Sequence, residues 1–216
     1  MFLWNTRKTV PLAAAALCLL TACTSSQSSF TTPFSVVGTQ FNQYFAIDSD
    51  SFQKQLNETL SDSAPPLEYL DSDSERSVYL SKNGETWKIL LQVFTADDVS
   101  DAVEPSGDPA EWVGYVHEVK LSLYAASEQE AQENGAYIRA LLTLFTPGAE
   151  EEIEDVLGIY GDPKREAILS DSMTRATYGT VSYTYAKDDY FLVTPYDESL
   201  LKESKESSPA VIRPGA

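Results

Sequence analysis

The chain is poor in the residues that carry most enzymatic chemistry. In 216 residues it has one histidine, two cysteines and two methionines. Two cysteines do not staple a small scaffold or build a thiolate cluster, and one histidine leaves the usual zinc and iron ligand sets short. Basic residues are scarce as well. Fifteen Lys and Arg stand against 33 Asp and Glu, for a formal net charge of −18. A field of that sign repels phosphate backbones and excludes nucleic acid as a partner. Gly-rich phosphate loops, H-E-x-x-H and G-x-S-x-G are all missing.

Apolar material is plentiful. Hydrophobic residues make up 43% of the chain and aromatics 11%. That is ample for a packed core and argues against wholesale disorder, and the length fits one ordinary domain.

The first 22 residues read as an export signal. Arg7 and Lys8 precede an apolar run, Val10 to Leu20, too short for a membrane span of about 20 residues. The run ends in Leu20-Thr21-Ala22-Cys23. This tetrad resembles the lipobox of bacterial lipoproteins, a branched residue and two small ones before the cysteine that is lipidated and becomes the first residue. The resemblance covers only about the first 23 residues. It implies a lipid on Cys23, a stable anchor because two or more acyl chains hold it, and a position on the extracytoplasmic face of the cell membrane. Cys18 then leaves with the signal. Without Arg7 and Lys8 the mature chain carries 13 basic and 33 acidic residues, a charge of −20. The remainder resembles small bacterial lipoproteins in layout only, which implies no particular activity.

Residues 23–32 form a polar tether that spans roughly 30 Å when extended. Residues 33–198 read as a single α+β domain, and 199–216 as a disordered, charged tail. No internal repeat is visible in the sequence. A helix is expected from Thr32-Pro33, with Phe34, Val37, Phe41, Tyr44 and Phe45 at helical spacing. Asp48 to Ser51 then cap a second helix, with Phe52, Leu56 and Leu60 on one stripe, and 61–66 break it. Strands are expected over 77–81 and 86–94 around Asn83-Gly84, with Leu80 opposite Trp87 and Val78 opposite Ile89. A third is expected over 112–124, with Val113, Tyr115, Val119, Leu121 and Leu123 on one face and Glu118, Lys120 and Ser122 on the other. Ser127 and Glu130 make a capping box for a helix carrying Ala131, Ile138, Leu141, Leu142 and Phe145 inward. A fourth helix starts at Thr146-Pro147, carries Ile153, Val156, Leu157 and Tyr160, and ends at Gly161. A hairpin over 180–185 and 190–194, turning at Lys187-Asp188, closes the domain. The expected fold is an antiparallel sheet of about five strands with helices on one face, in the order ααβββααββ.

His117 shares strand parity with Val119 and Leu121, so it reads as a packed core residue. Ser51 and Lys54 match S-x-x-K, but the partner motifs of that serine-enzyme family are missing, and helix capping explains Ser51. Asp48 and Asp50, and Asp71, Asp73 and Glu75, are spaced like calcium ligands. Arg76 and Lys82 stand where the second run would need glycine and a bidentate glutamate, so both runs read as caps and turns. No cofactor and no metal are expected. The segment 96–111 is long for a hairpin connection. It carries Asp97, Asp98, Asp101, Glu104 and Asp108 and leads into Trp112, a set suited to contacting a partner.

The leading expectation is therefore a noncatalytic, lipid-anchored binding module of the cell envelope. Its partners would be the membrane, through Cys23, and an envelope protein or glycan. The alternative is an envelope glycan hydrolase with two carboxylates about 5–9.5 Å apart. A calcium-stabilised surface module is a third reading.

Overall fold

The computed structural model describes residues 32–61, 63–70, 77–82, 89–95 and 112–201. The fold is α+β, with ten strands and three helices in the order ββαββββααββββ. Strands β1 (Val36–Gly38) and β2 (Gln43–Asp48) open it, followed by helix α1 (Ser49–Leu60). Four strands come next: β3 (Leu67–Leu70), β4 (Ser77–Lys82), β5 (Ile89–Thr95) and β6 (Tyr115–Ser122). Helices α2 (Glu128–Phe145) and α3 (Glu150–Leu157) lead into β7 (Ile168–Ser170), β8 (Met173–Tyr178), β9 (Val181–Ala186) and β10 (Tyr190–Pro195).

Among the described residues the strands pair antiparallel, and the main path across the sheet is β3-β4-β5-β6-β10-β9-β8-β7. That order is a palindrome. Each half is helix followed by a four-strand meander, and the two halves meet where β6 pairs with β10. An internal repeat thus exists in the topology although the sequence shows none. Strand β2 adds to the free stretch of β6 at Tyr115 and Val116, with β1 outside it.

The core lies between one face of this sheet and the helices. Phe52, Leu56 and Leu60 of α1 are buried as their helical spacing requires. So are Ile138, Leu141, Leu142 and Phe145 of α2, together with Leu91, Val93, Val119, Leu121, Phe191 and Val193 from the strands. Phe145 is the hub: its ring centroid lies 4.6 Å from Phe45, 5.5 Å from Phe34 and 6.0 Å from Phe52. The capping box forms, with the Glu130 N–H donating to Ser127 Oγ at 3.2 Å. The Glu130 carboxylate accepts from the Ala126 N–H at 2.7 Å.

Several expectations are corrected. The segment expected to be the first helix is the β1–β2 hairpin, where Gly38 at φ +129° makes the turn and Gln43, Phe45 and Ile47 alternate inward. Asp48 rather than Ser51 is the N-cap of α1. Strands β3, β7 and β8 are additional to the five expected. Leu80 stands opposite Leu91, and Val78 opposite Val93, not Trp87 and Ile89; an irregularity lies between Leu80 and Ser81. The slip is even, so the inward parity of β5 is kept and Leu91 and Val93 are buried. The Asn83-Gly84 turn lies outside the described residues. Ala131 is exposed. Helix α3 is shorter than expected, ends at Gly158 instead of Gly161, and leaves Tyr160 exposed. A helical turn over 198–201, capped by Asp197, occupies the start of the expected tail. No described helix is long and apolar enough to cross a membrane.

Candidate functional site

The strand expected to carry His117 inward contains a bulge. Phe94 pairs with Glu118 and Thr95 with Val116, so His117 is an extra residue with no partner opposite. One inserted residue turns the alternation over. Val116 enters the core, fully buried, in the place expected for His117. The imidazole instead lies against Tyr44, with ring centroids 5.4 Å apart, and Tyr44 lies 6.0 Å from Trp112. Tyr44 alternates with the buried Phe45, which packs under α2, so these three rings sit on the sheet face turned away from the helices.

His117 Nδ1 is 2.8 Å from the carbonyl oxygen of Gln43. A carbonyl only accepts, so Nδ1 carries the proton and neutral His117 keeps its lone pair on Nε2. The Gln43 side chain in turn clamps the backbone of Asp197: Oε1 accepts its N–H at 2.6 Å and Nε2 donates to its carbonyl at 3.1 Å. Burial raises the Tyr44 phenol above its ordinary pKa. The trio is therefore an aromatic surface with a fixed imidazole at one end.

Further along the same face one register row crosses five strands. Gln92 pairs with Lys120, Lys120 with Leu192, Leu192 with Thr184 and Thr184 with Arg175. Lys120 Nζ sits 4.8 Å from the centre of the Tyr190 ring, a cation–π contact. Arg175 Nε donates to Thr184 Oγ1 at 3.1 Å. Neither cation is ion-paired among the described residues.

Charge is divided between the two layers. The three helices carry ten acidic residues against Lys54 and Arg139. The ten strands carry Asp48, Glu68 and Glu118 against Lys82, Lys120 and Arg175. The helix layer is strongly anionic and the sheet is balanced.

A concavity of about 920 Å³ lies between the end of α1 and α2, lined in part by Leu60, Ser63, Gln132, Gly135 and Tyr160. Its one cation, Arg139, is committed to Glu154, to which Nε donates at 3.0 Å and Nη2 also donates. Among the described residues, the carboxyls of Asp48 and Glu150 are held below the ordinary range. At Asp48 the Ser51 N–H is the largest influence, ahead of opposing burial and the Ser51 hydroxyl. At Glu150 burial acts upward but is outweighed by backbone N–H groups, Thr143 and Arg139. Ser51 Oγ donates to Asp48 Oδ2 at 2.8 Å, so the residue of the S-x-x-K match serves the cap. Among the described residues no group of three His, Cys, Asp or Glu side chains could share a metal ion.

Of the residues expected to form a site, Cys23, Asp97, Asp98, Asp101, Glu104 and Asp108 lie outside the described residues, as do Asp71, Asp73 and Glu75. Trp112 is described, and the fold joins it to Tyr44 and His117. Tyr44, Tyr190, Leu192 and Arg175 were not anticipated as site residues. For Lys120 the signal was its parity opposite to Val119 and Leu121. Comparison with protein families, with curated proteins and with solved structures found no match.

Proposed function

We propose that this protein is a noncatalytic interaction module of the bacterial cell envelope, held by a lipid on Cys23 at the extracytoplasmic face of the membrane. The sheet face turned away from the helices, on which Lys120 and Arg175 are exposed, receives an envelope partner. The observation that carries this reading is the sheet face turned away from the helices, which brings together an aromatic trio and the exposed side chains of Lys120 and Arg175, neither ion-paired among the described residues. Interfaces favour aromatic and arginine anchors, such as Trp112, Tyr44 and Arg175, and are depleted in Asp, Glu and Lys. The lipid assignment rests on the lipobox resemblance of Leu20-Thr21-Ala22-Cys23.

The hydrolase alternative needs two converging carboxylates, one with a raised pKa. The resolved shifts at Asp48 and Glu150 are both downward, so nothing among the described residues favours it.

Two measurements test the proposal. Palmitate labelling in cells should be lost in Cys23→Ala, and retained label would remove the anchor. A photo-crosslinker placed at Leu192 in the full chain, irradiated in native membranes, should give a discrete adduct. One at Asp155, on the acidic helix layer, should give none. Adducts from Asp155 alone would remove the sheet face as the docking surface.

A further inference from the structure

We infer that the partner docks through an extended segment carrying two carboxylates four residues apart with an apolar side chain between them, received by Lys120, Leu192 and Arg175. The inference rests on the interaction-module reading and specifies its chemistry. Four adjacent strands bring these residues into one row by direct register pairing. Three strand spacings of about 4.8 Å put the Lys120 and Arg175 backbones roughly 14 Å apart. Both side chains are exposed; between them Leu192 is half-buried and Thr184 is buried. Lys120 is steadied over the Tyr190 ring and Arg175 by the Thr184 hydroxyl. They are held cations whose charge no described carboxylate neutralises.

An extended chain advances about 3.3 Å per residue, so residues i and i+4 lie roughly 13 Å apart, with i+2 on the same face. A Glu-x-Leu-x-Glu segment crossing the strands thus sets its first glutamate over one cation, its leucine near Leu192 and its second glutamate over the other cation. The anionic helix layer repels the same segment, which restricts docking to the sheet. Anionic lipid would meet the same two cations. The apolar centre of the row and Glu118, two residues before Lys120 on the same face of β6, favour a side-chain-bearing partner over a plane of headgroups.

The test uses the full lipidated chain in detergent, labelled with nitrogen-15, and a Glu-Ser-Leu-Ser-Glu peptide with blocked ends. The expected result is that amide shifts move at Lys120, Leu192, Thr184 and Arg175, and that Gln-Ser-Leu-Ser-Gln leaves them still. Lys120→Glu with Arg175→Glu should weaken the glutamate peptide about tenfold. The milder pair Lys120→Gln with Arg175→Gln gives a smaller loss and keeps the test readable if the reversal disturbs folding. Equal shifts with both peptides, shifts confined to the helices, or none at millimolar peptide would overturn the inference. So would uptake of phosphatidylglycerol vesicles on this face in preference to the peptide. The Leu192 photo-adduct separates the two levels. An adduct without charge-dependent peptide binding removes the carboxylate chemistry alone, whereas no adduct removes the docking face itself.

Discussion

Buried polar contacts decide stability at single residues. Tyr183 is wholly buried on the core face of β9, and its hydroxyl lies 2.9 Å from Thr146 Oγ1, at the end of α2. Burial drives its phenol well above the ordinary range. Thr146 Oγ1 also bonds the Leu142 carbonyl at 3.2 Å, so Tyr183→Phe strands one acceptor and not a whole network. Chemical denaturation should show a loss of about 1–2 kcal/mol; an unchanged midpoint would mean the pair is unimportant. Asp48 makes a different kind of contact, a charged cap on α1. Its folded pKa lies below the unfolded value of about 3.9, so its contribution is complete above that value and disappears as pH falls through the folded pKa. Asp48→Asn keeps an acceptor at the cap but loses the titration. Its stability should therefore fall less steeply than wild type between roughly pH 4 and pH 2. Parallel urea midpoints over that range would refute the linkage.

Elements were legible wherever the signal was local. Helices α1 and α2 and the β9–β10 hairpin follow from caps, stripes and the Lys187-Asp188 turn, where Asp188 adopts φ 61°. The β1–β2 hairpin was not legible, because Phe34, Val37, Phe41, Tyr44 and Phe45 satisfy helical spacing by coincidence. Phe41 proves to be 74% exposed, at the hairpin turn. A partner strand overrides such periodicity, and only Gly38 within the run hinted at it. The His117 bulge was hidden for a related reason: an extra residue is defined by the strands opposite, not by its own strand. The Leu80–Leu91 register likewise depends on how the connection beyond Lys82 is made. The end of α3 shows what a local signal is worth when it is read one turn too late. Gly158 holds φ 71°, and a Cβ there would meet the Pro163 nitrogen at 2.5 Å. Gly158→Ala should lower stability by about 2–3 kcal/mol, read as a fall in melting temperature. A neutral outcome would mean the α3–β7 connection can move aside.

The whole molecule is shaped by its charge and by its palindrome. Ten acidic residues crowd three helices on one side of the sheet, so the compact state opposes its own field. Raising salt from about 0.01 M to 0.15 M shortens the Debye length from roughly 30 Å to 8 Å and should raise the melting temperature. A melting temperature that ignores salt would show that local contacts already compensate the repulsion. The candidate site was only partly readable at this scale. Trp112 and the outward Lys120 could be named from the chain, but their neighbours Tyr44 and Leu192 reach them across strands distant in sequence. The palindrome also has a consequence for the order of events as the chain emerges. The strand at the centre of the sheet, Tyr190–Pro195, is the last of the ten in sequence, yet it joins the two halves through β6. Until it is delivered, Val119 and Leu121 belong to a strand that lacks this neighbour. The two halves therefore cannot join until the last of the described strands has formed, and the sheet closes in one late step that rests on contacts distant in sequence.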